Sequence, residues 1–146
     1  MPNTFEKKFV NYCNEQELEV NTNQVDVIQK LEKYFQNNFK SFFSELFSKQ
    51  SLKKGFYLYG DVGVGKTMIL NYFFNQVDEK KIRQHFNEFM LNFHDFVHEQ
   101  KEINEENVIN QFVKNLKSKA SLIYFDEFQV TNIVDAMILG KLFKKI

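Results

Sequence analysis

The chain has no tryptophan, one cysteine, one proline, five glycines and a formal net charge of zero. Each scarcity excludes something. A single cysteine, Cys13, cannot form an intrachain disulfide, so this is not a disulfide scaffold. It reads as a small, partly buried hydrophobe in a reducing compartment. Zero net charge removes the usual signature of a nucleic-acid or anionic-membrane binder, leaving room only for a local patch. No apolar run approaches the roughly 20 residues that a membrane helix needs. The first eight residues lack both an apolar h-region and an Arg-rich, acid-free stretch, so neither a secretory signal nor a transit peptide is read there. The expected location is the cytoplasm. Arginine is equally scarce, with Arg83 alone among many lysines.

What is present is apolar and aromatic. Of 146 residues, 43% are hydrophobic and 16% aromatic, which is enough for a real core in one domain or part of one. Residues 1–22 are polar and mixed, and are expected to form a loosely ordered arm. From Asn23 the apolar residues recur near every 3.6 positions: Val25, Val27, Ile28, Leu31, Tyr34, Phe35 and Phe39. The pattern continues through Phe42, Phe43, Leu46 and Phe47. It predicts a helix capped by Asn21 or Asn23, with a break near Asn37-Asn38. Ser48 to Lys54 reads as a polar link.

Phe56-Tyr57-Leu58-Tyr59, bounded by Gly55 and Gly60, predicts a short buried strand. A helix is expected from Met68 to about Asn75–Asp78, and a second strand over 82–90. Two helices are expected over 92–118, joined near Asn104. Leu122-Ile123-Tyr124-Phe125 predicts another buried strand, followed by a last helix from near Thr131 with Asp135 in its first turn. Such alternation implies an α/β fold, a parallel sheet flanked by helices. The domain reading is an N-terminal arm and helix over 1–50 and the N-terminal part of an α/β domain over 51–146.

Gly60-Asp61-Val62-Gly63-Val64-Gly65-Lys66-Thr67 fits Gly-x-x-x-x-Gly-Lys-[Ser/Thr], the phosphate-binding loop. Each fixed residue has a chemical reason. Glycines let the backbone curl so that successive N–H groups face phosphate oxygens. A helix starting near Lys66 adds its N-terminal partial charge. The Lys66 ammonium reaches the β- and γ-phosphates, and the Thr67 hydroxyl ligates Mg²⁺. Four of the five glycines lie between positions 55 and 65. The loop also follows a strand pattern and precedes a helical one, which makes an incidental glycine-rich turn the weaker explanation.

The run Leu122 to Phe125 ends on Asp126-Glu127. Alone, acids at a strand end are a weak signal. Beside a phosphate loop they gain roles: Asp126 holds Mg²⁺ through water, and Glu127 polarises the attacking water. Paired acids favour hydrolysis over a small-molecule kinase, as in the additional-strand ATPases that include the AAA+ machines.

Three segments carry a more specific resemblance. They are 55–67, Lys81-Ile82-Arg83-Gln84-His85-Phe86-Asn87-Glu88-Phe89-Met90 with His94 beyond it, and 125–140. In this order they resemble the ZapE-like (AFG1-like) AAA+ ATPases over roughly residues 50–146. Two departures stand out: Val64 where the family usually has Arg, and Asn87 where it usually has a second His. The resemblance implies an AAA+-type P-loop fold and Mg²⁺-dependent ATP hydrolysis coupled to protein remodelling, in cell division or in protein quality control. It implies assembly into a homo-oligomer, FtsZ as the bacterial partner, and a cytoplasmic site peripheral to the inner membrane. It also implies a sensor strand, an arginine finger and a helical lid after the acidic strand. Arg83 precedes that strand and is badly placed to be the finger. The chain is therefore expected to be the N-terminal part of a longer protein, with a fold incomplete at its C-terminus and slow turnover on its own.

His85, His94 and His98 fall within fourteen residues, but without cysteine or a metal-like acid pattern they read as structural or coupling residues. Two other functions stay open: a helicase-loader-like AAA+ ATPase acting on nucleic acid, and a nucleotide-dependent interaction module without efficient turnover.

Overall fold

The computed structural model describes residues 4–40, 54–100 and 104–146. The expected helical positions Phe42, Phe43, Leu46 and Phe47, the link from Ser48 to residue 53, and Ile103 lie outside the described residues. The chain divides into two compact units, Met1–Val77 and Asp78–Ile146.

The first unit is helical. The expected loose arm is instead a helix, α1 (Thr4–Glu15). Its polar composition hides a stripe: Phe5, Phe9 and Cys13 recur every fourth position and are all buried. One narrow apolar face suffices when a neighbour covers it. Helix α2 (Thr22–Phe35) begins at the Asn21 cap, whose side chain accepts from the Asn23 N–H, and turns Ile28, Leu31 and Phe35 inward. The break expected near Asn37-Asn38 appears as a widened π-helical turn over Gln36–Lys40. Helix α3 (Lys66–Gln76) supplies Ile69, Tyr72 and Phe73. Aromatic rings tie the three helices together. Phe9 meets Tyr72 edge-on at 5.0 Å, Phe5 lies 6.1 Å from Phe73, and Phe35 lies 6.2 Å from Phe73. Each buried Phe contributes about 1.5–3 kcal/mol of apolar transfer.

The strand expected at Phe56–Tyr59 does not form. The segment from Lys54 to Asp61 is irregular, and Tyr57 and Tyr59 are 67% and 80% exposed. Among the described residues no strand pairs with it. A run of large apolar residues becomes a buried strand only where a neighbouring strand satisfies its backbone and a layer covers its face.

The second unit is built around a parallel pair. Strand β1 (Lys81–His85) lies beside β2 (Leu122–Asp126), in register from Lys81 opposite Leu122 to His85 opposite Asp126. Parallel neighbours need a long crossover, which helices α4 (Phe86–Glu99) and α5 (Glu105–Lys119) provide. The strand expected over 82–90 thus ends early, at His85. From Phe86 the spacing of Phe86, Phe89, Met90 and Phe93 is helical, and all four are buried on one face of α4. Asn104, at the expected join, caps α5 by accepting from the N–H groups of Glu106 and Asn107. Helix α6 (Ile133–Lys145) starts at the Asn132 cap, with Asp135 in its first turn as expected. The core joins the α4 face to Ile109, Phe112 and Val113 of α5 and Leu139 and Leu142 of α6, with Phe125 and Phe128 packed against it. The β2 residues are half-buried rather than fully buried. Among the described residues the architecture is helix-rich with a two-stranded parallel sheet, in keeping with the expected α/β class.

Candidate functional site

The loop comes first. Between Gly60 and Lys66 the chain turns through Gly63 and Gly65, each at φ +84°. A side chain is strained in that left-handed region, so glycine belongs there. Gly65 is also the N-cap of α3, and no side chain caps that helix. The first N–H groups of α3 therefore lack the side-chain acceptor found at most helix starts, and an uncapped N-terminus suits an anion. Lys66, the first residue of α3, folds back over the loop. Its Nζ donates to the Gly60 carbonyl at 2.8 Å and to the Asp61 carbonyl at 2.5 Å. An ammonium is thus held at the turn mouth by the loop's own main chain. Asp61, Val62, Val64 and Thr67 are exposed, and Lys66 is half-buried. Uncapped amides, left-handed glycines and a lysine on main-chain carbonyls are the chemistry a triphosphate requires.

The acidic pair belongs to the second unit. Asp126 ends β2, and its carboxylate is already engaged. Arg83 Nε, from β1, donates to Asp126 Oδ2 at 2.5 Å, and the same guanidinium lies 5.1 Å over the Tyr124 ring. Burial pushes the Asp126 carboxyl up, but hydrogen bonds from Arg83 and the Tyr124 hydroxyl outweigh it and leave it below the usual carboxylate range. Tyr124 is pushed up, first by burial and then by its bond to Asp126. Asp126 is a hard oxygen donor of the kind Mg²⁺ takes, as is the Thr67 hydroxyl. Glu127 is exposed and sits at φ +50°, one of two non-glycine residues with positive φ among those described. Such a conformation costs a non-glycine residue on the order of 1–2 kcal/mol, and it turns Glu127 out of the strand's alternation.

The three histidines separate in role. His94 Nε2 meets Asp135 Oδ1 at 3.1 Å, and Asp135 is bound in turn to the Asn132 cap. His94 thereby links α4 to the start of α6. Among the described residues no three of His, Cys, Asp and Glu converge to hold a metal, and no helix is long and apolar enough to cross a membrane.

Sequence reasoning missed two contacts. The sequence presents Arg83 as part of the 81–90 segment and as a misplaced finger, whereas parallel register sets it opposite Tyr124. Period-two alternation then brings Asp126 onto the same face, and that signal was available. Gln24 of α2 donates from Nε2 to the Val64 carbonyl at 3.1 Å. No local pattern announces a contact across forty positions.

The sequence matches the family model for AFG1-like ATPases over residues 4–146. It is 39% identical over 107 residues to lactation elevated protein 1 homolog B of Danio rerio, covering 66% of this chain and 21% of that protein. It is 33% identical over 100 residues to the cell division protein ZapE of Escherichia coli K12, covering 68% of this chain and 26% of that protein. An uncharacterized protein of Schizosaccharomyces pombe is also 33% identical, over 65% of this chain and 22% of its own length. The matches thus span about a quarter of the length of these relatives or less. No solved structure matches the chain significantly.

Proposed function

Because this chain belongs to the AFG1-like ATPase family, we propose that it binds ATP with Mg²⁺ at Gly60–Thr67 and supplies residues for its hydrolysis. The observation that carries this reading is the Lys66 ammonium resting on the Gly60 and Asp61 carbonyls beside an uncapped α3 N-terminus. Phosphate oxygens take over the acceptor role of those carbonyls, and loop amides from Gly60 to Thr67 donate to the same groups.

Thr67 in the first unit and Asp126 in the second would each offer Mg²⁺ an oxygen, Asp126 through water. When bound, the metal neutralises charge on the β- and γ-phosphate oxygens. Glu127 accepts a proton from the attacking water as its oxygen bonds to the γ-phosphorus. The bond from that phosphorus to the β-bridging oxygen breaks, and ADP leaves. We propose further that the protein couples this cycle to remodelling of a protein partner as a homo-oligomer. The name of the E. coli relative, a cell division protein, supports a division-linked partner such as FtsZ.

Binding and turnover test this reading separately. Lys66→Ala removes two charge-assisted bonds and should weaken ATP affinity on the order of a hundredfold, measured with a fluorescent ATP analogue. Glu127→Gln should keep affinity while lowering phosphate release by roughly 10²–10⁴. Unchanged binding in Lys66→Ala would sink the assignment of the loop. Unchanged turnover in Glu127→Gln would remove Glu127 as the base.

A further inference from the structure

The first turn of α2 reaches the phosphate loop through one side chain. Gln24 Nε2 donates to the Val64 carbonyl at 3.1 Å. The same nitrogen fills the space beside Gly65, where an added Cβ would lie 2.8 Å from it. Gln24 Oε1 is buried and has no hydrogen-bond partner among the described residues. The side chain starts from a fixed point, because α2 is capped by Asn21 and anchored by Ile28 and Leu31.

Peptide geometry turns these contacts into chemistry. The Val64 carbonyl and the Gly65 N–H belong to one planar trans peptide, so they point in opposite directions. Fixing the carbonyl on Gln24 fixes the N–H away from it. Glycine at a left-handed position has little of its own to prevent this peptide from turning over, and a turned peptide would present a carbonyl to the phosphate in place of a donor. An orphaned buried acceptor is costly. An apolar side chain of the same length would avoid that cost, so packing alone does not account for glutamine here.

We infer that Gln24 is a positioning residue for triphosphate binding: it holds the Val64 carbonyl so that the Gly65 amide faces the phosphates. The inference rests on the reading of Gly60–Thr67 as the triphosphate loop. Gly65 then serves two ends. Its φ requires glycine, and its missing side chain leaves room for Gln24.

The test is an equilibrium titration of the 146-residue chain with mant-ATP in MgCl₂, for wild type, Gln24→Met, Gln24→Glu and Lys66→Ala. Unfolding of each nucleotide-free variant is followed alongside. Gln24→Met keeps length and loses the donor. Gln24→Glu keeps shape but cannot donate when ionised, and it adds a negative charge. Both should fold with an unchanged nucleotide-free midpoint and bind mant-ATP about tenfold more weakly or worse. The Gly65 amide resonance should shift when ATP is added to wild type and should shift less in Gln24→Met. Wild-type affinity in both Gln24 variants, with Lys66→Ala impaired, overturns the inference and leaves the loop reading intact. Failure of wild type itself to bind mant-ATP overturns both. If both Gln24 variants are unfolded without nucleotide, the residue is structural and the inference falls.

Discussion

The two units carry their candidate chemistry in different kinds of atoms. In Met1–Val77 it lies mostly in the main chain: left-handed glycines, uncapped α3 amides and carbonyls that hold Lys66. In Asp78–Ile146 it lies in side chains: Asp126 clasped by Arg83, and Glu127 turned out of the strand. Main-chain chemistry tolerates side-chain change, so a residue such as Val64, whose carbonyl and not its side chain is engaged, can vary. Side-chain chemistry depends on its neighbours, and replacing Arg83 alters what Asp126 can do. The units also stabilise themselves differently. The first packs three helices through rings spread along each, and the second gathers phenylalanines from α4, α5 and β2 around one centre.

The contrast can be broken first at the cores. Phe89→Ala in the second unit and Phe9→Ala in the first each remove a fully buried ring, and each should cost about 3–5 kcal/mol by denaturant unfolding. Phe9→Ala loosens the packing of α3, whose first turn holds Lys66 and Thr67, so ATP-dependent stabilisation should decline as well. A cost below about 1 kcal/mol at Phe9 would mean that α1 does not cover α3 as described.

A smaller effect, of opposite sign, is expected at Glu127. Glycine accepts φ +50° without the penalty that glutamate bears, so Glu127→Gly should raise stability by about 1 kcal/mol. Phosphate release should be lost in the same variant. Destabilisation would show that the turn after β2 relaxes in solution.

The smallest effect is expected at the Arg83–Asp126 pair, since Arg83 is 40% exposed and solvent screens it. The Asp126 carboxyl lies below its ordinary value in the folded chain. Its contribution is therefore present above about pH 4, the usual aspartate value, and is lost as pH falls through the folded one. In the metal-free chain, Arg83→Ala should flatten the fall in thermal midpoint between neutral and acidic pH. An unchanged acid slope would show that Tyr124 and His85 set the carboxyl without Arg83.

Much of this was legible from local pattern. Helix α2 with its Asn21 cap, α3 after the loop, the join at Asn104 and the start of α6 follow from periodicity and capping chemistry. The failures have different causes. Phe56–Tyr59 has strand composition but no partner strand, and composition cannot supply one. In α1 the residues Phe5, Phe9 and Cys13 were read through their polar neighbours, although a single stripe was enough to bury the helix. At the candidate site, motif residues stood out because their chemistry is local. Gln24 and Arg83 act across forty and forty-three positions, where only tertiary structure brings partners together.

The clasp of Lys66 on Gly60 and Asp61 has a kinetic consequence. On the proposed reading of the loop, phosphate arrival would be an exchange of acceptors and not an addition to an open site. Two carbonyls must let go of the ammonium as the anion takes hold, so binding strength is a difference between two satisfied states. Lys66→Ala therefore does more than delete a phosphate contact: it also frees the turn at Gly60-Asp61. In that variant the nucleotide-free loop should become the more mobile one, with faster amide hydrogen exchange from Gly60 to Gly63.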